Sequence, residues 1–275
     1  MKWFITGDTH GKVYNRIITS DFGMTHNAAL IILGDAGLNF YLNKTDKKEK
    51  QRVEKRLAAF DSYLYIVRGN HEERPQNLGM NWFKDTNVLG KVYMETEFPH
   101  IRYLMDGGTY IIDGKSTLVI GGAYSVDKYW RLKGKPENTT EWTGWFKDEQ
   151  LTETEMIEIA RNIYNASYDM VLTHTCPISW EPRDLFLSVV NQDKVDKTME
   201  NFLEEVKNRI DYGLWLFAHY HQNRLMRPHV EMLYQAVYTL DEISARWRKF
   251  DENHGRFDLE DALLNIKDLN FYMED

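Results

Sequence analysis

Five apolar runs of strand length in this chain each stop at residues that ligate metals or move protons. "KWFIT" at 2–6 runs into Gly7-Asp8-Thr9-His10-Gly11, and "ALIIL" at 29–33 into Gly34-Asp35. "YLYIV" at 63–67 runs into Arg68-Gly69-Asn70-His71-Glu72, "DMVLT" at 169–173 into His174, and "LWLFA" at 214–218 into His219-Tyr220-His221. The runs are too short for independent helices and end in Gly or polar residues, so they read as buried strands. In open α/β sheets, sites assemble at the carboxyl ends of strands. Of nine histidines, five lie at these ends, while His26, His100, His229 and His254 do not. A fold for this chain must therefore bring several strand ends to one edge.

The segments between the runs support that. Residues 44–60 form a charged helix pattern with a narrow apolar side, and 148–165 form a second. Residues 195–210 carry Met199, Phe202, Leu203, Val206 and Ile210 at helical spacing. Strands alternating with helices predict an α/β architecture. A sixth run, "STLVI" at 116–120, belongs to the same set, but 109–120 and 229–240 are not divided from their neighbours by helices. They predict antiparallel strands joining the sheets. Residues 122–147 are rich in Gly and aromatics and read as an ordered insertion in a domain spanning 1–240. Residues 241–275, with Trp247, Phe250, Phe257, Leu263 and Phe271, read as an amphipathic tail packed on the domain or on a partner.

Bulk properties narrow the function classes. The net charge is −8, which argues against general binding to nucleic-acid backbone. Cys176 is the one cysteine of 275 residues, so no intrachain disulfide forms and a reducing cytoplasm is expected. The opening "MKWFITGDTHG" does not read as a signal peptide, and no run approaches the roughly 18 apolar residues of a membrane span.

The strand-end residues have the chemistry of a two-metal centre. Asp8 and His10 flank one residue, as do His219 and His221; in extended backbone each pair points one way. Asp, Asn and His ligands without thiolate suit Mn, Fe, Zn or Ni better than Ca or Mg. A carboxylate such as Asp35 can bridge two cations, which together clamp the phosphoryl oxygens of an in-line displacement.

In order, "GDTHG", "GD", "RGNHEE", "THT" and "AHYH" resemble the signature of the calcineurin-like metallophosphoesterases, over about residues 1–225. The resemblance implies a four-layer α/β/β/α sandwich of two mixed sheets flanked by helices. It implies two divalent transition-metal ions, Mn favoured: Asp8, His10, Asp35 and His221 on one, and Asp35, Asn70, His174 and His219 on the other. It implies further that a metal-bridging hydroxide attacks phosphorus while His71 serves as general acid, with Glu72 behind it orienting an imidazole. Two features depart from the pattern. Protein Ser/Thr phosphatases carry Asp-Arg-Gly after their second Gly-Asp, whereas here Ala36-Gly37-Leu38-Asn39 follows Asp35. Ala218 also replaces the usual Gly of the last motif, as in the RNA lariat debranching branch. That branch's Gly-Gly region is faintly similar to "IGGAYSVDKYWR" as well.

A phosphate-gripping cation must then come from Arg68, Arg131 or Arg183. Trp130, Trp142, Trp145, Trp180 and Tyr124 are candidates to line a pocket for a base or aryl group. The expected function is hydrolysis of phosphate esters, with monoesters preferred. The alternatives are a phosphodiesterase acting on nucleotides or RNA and, more remotely, a non-catalytic metal-binding scaffold. The expected partner is a phosphate-ester substrate, nucleotides included, with no membrane; the sequence leaves the oligomeric state open.

Overall fold

The structure is a computed structural model that describes residues 1–253 and 255. Among them, thirteen strands form two mixed sheets. The first sheet draws on β1 (Lys2–Thr6), β2 (Ala28–Ile32), β3 (Tyr63–Ile66), β4 (Asn81–Asp85), β5 (Gly90–Met94) and β6 (Ile101–Leu104). The second draws on β7 (Gly108–Ile112), β8 (Lys115–Ile120), β9 (Ser167–Thr173), β10 (Asp211–Phe217), β11 (Arg224–Arg227) and β12 (Val230–Met232). The last strand, β13 (Tyr238–Thr239), returns to the first sheet and gives the order β13-β1-β2-β3-β6-β5-β4. The other order is β11-β12-β10-β9-β8-β7. The centre of each sheet is parallel: β1, β2, β3 and β6 in one, and β8, β9, β10 and β12 in the other. Antiparallel strands close the edges, with β13 on β1, β4 on β5, β7 on β8 and β11 on β12.

The continuous apolar runs are explained by burial on both faces, as parallel sheets require. Alternate residues of one strand serve different cores. Trp3 and Ile5 of β1, with Ala29 and Ile31 of β2, meet Met170 and Leu172 of β9 and Leu214 and Leu216 of β10 between the sheets. Their neighbours Phe4, Leu30 and Ile32 face outward onto α1 (Val13–Ile18) and α2 (Lys44–Ala59) through Val13, Ile17, Val53 and Leu57. On the far side, Val171, Trp215 and Phe217 pack on α4 (Glu153–Asn162) and α5 (Thr198–Lys207) through Ile159, Met199, Phe202, Leu203 and Val206. The result is the expected α/β/β/α sandwich of two mixed sheets.

Residues 122–147 include the short α3 (Lys128–Leu132), whose Arg131 bonds Asp127 Oδ1 at 2.7 Å and the Gly144 carbonyl at 2.8 Å. The final described helix, α6 (Leu240–Glu252), starts in a capping box: Thr239 Oγ1 accepts from the Glu242 amide and Glu242 returns a carboxylate to Thr239. Its Leu240, Ile243 and Trp247 join the core between the sheets. The rest of the tail expected over 241–275, with Phe257, Leu263 and Phe271, lies outside the described residues. Among the described residues no helix is long and apolar enough to cross a membrane.

Candidate metal centre

The parallel strands of both sheets end at one edge, and all seven residues expected as metal ligands meet there. Asp8 and His10 follow β1, Asp35 follows β2, and Asn70 and His71 follow β3. From the second sheet, His174 follows β9, and His219 and His221 follow β10. The turns that deliver them are strained. His10, Asp35, His219 and His221 all have positive φ, at 45°, 49°, 70° and 56°, a region side chains other than Gly rarely occupy. Gly34, at φ 94°, has no room for a side chain, because a Cβ there would fall inside the His174 ring. A Cβ on Gly69 would strike Asp35.

On one side, ligand atoms of Asp8, His10 and His221 lie within 4.8 Å of one another. His221 Nε2 is 3.0 Å from Asp8 Oδ2 and 2.9 Å from His10 Nε2. On the other, His174 Nε2 is 2.9 Å from Asn70 Oδ1 and 3.6 Å from Asp35 Oδ1. Asp35 stands between the two groups: its Oδ2 is 3.9 Å from His10 Nδ1 and 3.8 Å from His71 Nε2.

The hydrogen-bond directions on the second side are fixed. His174 Nδ1 lies 2.7 Å from the Leu33 carbonyl, which can only accept, so Nδ1 carries the proton. Asn70 Nδ2 donates to Ser125 Oγ at 2.8 Å, and Ser125 in turn donates to Glu149 Oε2 at 2.5 Å. That chain turns Asn70 Oδ1, an acceptor, toward His174 Nε2. A positive centre, proton or metal, must lie between two such lone pairs. The closely apposed His10 and His221 nitrogens share a ring proton or a metal. With two buried carboxylates beside them, the oxygen and imidazole donors fit divalent cations.

Electrostatics follow from burial and mutual charge. Burial pushes the Asp8 carboxyl up, but the His221 hydrogen bond and the His174 charge outweigh it and hold it below the usual range. The same contest, with His71, His174 and His10 winning over burial, holds Asp35 well below it. Burial, and then the charge of His174, pull His219 down to about 3. His221 lies above the ordinary value: burial lowers it, but the bond and charge of Asp8 prevail. Burial lowers His71 despite the opposing charge of Asp35.

Other expectations are placed as follows. Glu72 accepts from the Gly69 amide at 3.1 Å, so it braces the turn that carries Asn70 and His71 and does not orient an imidazole. Burial pushes it up to about 8. Arg68 is buried, bonded to Asp106 (2.7 Å) and to the carbonyls of Glu149 and Gly121. Arg183 is exposed on the segment before α5. Arg131 is engaged within the insertion, although its charge still acts on His71. None of the three lines the cavity at the metal centre. Of the five aromatics singled out for a pocket, Tyr124 alone lines it. Trp180 is in the core against Trp215, Trp142 stacks on Tyr41, and Trp145 lies under Lys128. Residues not foreseen also shape the site. Ser125 and Glu149 set the Asn70 amide, Arg16 donates to the Asp8 carbonyl at 3.1 Å, and Tyr234 stacks on His221. The Gly-Gly stretch at 121–122 was the available signal for Ser125.

A two-sheet sandwich with Asp, Asn and His converging at the strand ends is the architecture of a metal-dependent phosphoesterase. A sequence profile of the calcineurin-like phosphoesterases matches residues 1–223, and the chain belongs to that family. The family acts on phosphate esters with divalent metals. No curated protein matches the sequence. Among the solved structures that match, one shares 11% identity over 88% of this chain and 95% of its own, with a TM-score of 0.44.

Proposed function

We propose that the chain hydrolyses phosphate monoesters, with Asp8, His10, Asp35 and His221 holding one divalent cation and Asp35, Asn70, His174 and His219 the other. The observation that carries this reading is the pair of lone pairs 2.9 Å apart on His174 and Asn70, whose protons are committed to Leu33 and Ser125. Cations bound there, Mn favoured, supply Lewis acidity to the phosphoryl oxygens and acidify the attacking water. Asp35 lies between both groups of ligands and holds them in register. The Leu33 carbonyl fixes the tautomer of His174, and the Ser125–Glu149 pair fixes the face of Asn70.

His71 is the proton donor to the leaving oxygen. Its amide is anchored on Asp35 Oδ1 at 2.8 Å, its side chain lines the cavity with Nε2 3.3 Å from Asn70 Nδ2, and its buried Nδ1 has no partner among the described residues. Burial makes its imidazolium a stronger acid. Arg131, held by Asp127 and the Gly144 carbonyl, acts on the site through its charge, which lowers His71 further. The single cysteine, Cys176, is fully buried, and we infer a cytoplasmic setting.

The test compares p-nitrophenyl phosphate with bis-p-nitrophenyl phosphate as substrates of the Mn²⁺-loaded protein, with the ligand variant His174→Ala as control. Faster monoester turnover is expected. Faster diester turnover would transfer the assignment to phosphodiesters, and a metal-loaded protein inert to every phosphate ester would remove it.

A further inference from the structure

The cavity opening onto the metal centre has a volume of about 330 Å³, at the lower end of the roughly 300–1,000 Å³ of small-molecule sites. Its floor is polar and includes Asp35, Asn70, His71, His219 and His221. Its walls are not. Tyr124 comes from the start of the insertion; Phe186, Leu187, Val190 and Val195 come from the irregular segment before α5; Tyr220 sits between two of the assigned ligands.

Tyr220 turns its hydroxyl away, to Thr175 Oγ1 at 3.2 Å and Cys176 Sγ at 3.8 Å. Phe186 lies nearly parallel to it, at 22° with centroids 6.4 Å apart. Among the described residues Lys197 is the one lysine or arginine in the lining, and Glu181 holds it at 2.6 Å. It also lies over the Phe186 ring at 4.8 Å. Leu187 remains 60% exposed at the rim, where a ligand would cover it. A wall of this kind rewards burial of an apolar planar group. Among the described residues it offers no free cation to a second phosphate.

We propose that this cavity is the subsite for a planar aromatic ring carried by the esterified alcohol. The substrates are then phosphate esters of nucleosides or aryl alcohols, not of bare sugars or of seryl and threonyl side chains. The inference rests on the phosphoesterase reading above. A monoester has one organic substituent, which must depart past its proton donor, and His71 lines this same cavity.

The test uses the Mn²⁺-loaded full chain and two matched substrate pairs. Adenosine 5′-monophosphate and ribose 5-phosphate both release a primary ribosyl 5-hydroxyl and differ by the base. Benzyl and cyclohexylmethyl phosphate differ by planarity. A kcat/KM advantage of roughly tenfold or more for the ringed member is expected, the scale of one stacked ring. Preference in the first pair alone identifies a nucleobase, and in the second alone a simple aryl group. Phe186→Ala and Leu187→Ala should narrow the preferred ratio. Equal kcat/KM within both pairs would overturn the subsite while leaving the phosphoesterase reading intact. If no ester is turned over, that reading falls instead, and calorimetric titration with adenosine and with benzyl alcohol decides the subsite. Saturable binding weakened by Phe186→Ala supports it, and absence of binding by both refutes it.

Discussion

Asn70 has its amide protons on Ser125 and its oxygen toward His174, a choice that a free side chain would not hold. Ser125→Ala removes the acceptor that selects this face. Supporting bonds of this kind are worth roughly tenfold or more in metal affinity. We expect that loss in a Mn²⁺ titration, with the fold intact by circular dichroism; unchanged affinity would show that the amide is held some other way. His71 carries a different prediction. A general acid contributes roughly 100-fold or more where the leaving group is poor. His71→Ala should therefore slow a simple alkyl phosphate by about that factor and p-nitrophenyl phosphate much less, because nitrophenolate leaves without a proton. Equal losses on both would assign His71 to binding. Neither residue's surroundings were legible in the sequence. The "GNH" after a strand marks the pair, but the partners Ser125 and Glu149 lie 55 and 24 positions along from their contacts.

Among the elements, the sequence announces those buried on both faces. β1, β2, β3, β9 and β10 are continuous apolar runs because each serves two cores. The hairpin of β4 and β5 escapes the same reading, since β4 is an edge strand with most of its residues exposed and its run mixes Asn, Lys and Asp with aromatics. The segment at 185–195 is apolar without a period, and only its position over the metal centre explains why. Helix α6 is tied to β12 by Arg246, whose Nη1 lies 2.6 Å from Glu231 Oε2. Burial pushes Glu231 up to about 7, with Arg246 opposing. The folded value lies above the unfolded one, so the folded chain holds a proton that the unfolded chain has lost. The resulting stability is full below about pH 4.5 and is lost as pH rises through about 7. Glu231→Gln should flatten the dependence of the unfolding midpoint on pH across that window. A variant that keeps the wild-type slope would place the titration elsewhere.

At the scale of the whole molecule, two parallel-centred sheets face one another and end at one edge, so Asp8 and His221, 213 positions apart in sequence, become neighbours. That convergence could be read in advance, because each ligand directly follows an apolar run and the sheets place all such ends together. The walls of the cavity could not be, because they belong to loops whose course is set by tertiary packing. The central claim is that the convergence holds two divalent cations, and metal-to-protein stoichiometry by elemental mass spectrometry tests it most directly. After Mn²⁺ loading and desalting, the account predicts two ions per wild-type chain and about one in His174→Ala and in Asp8→Ala. A wild-type chain that retains no metal, or variants that retain as much as the wild type, would contradict it.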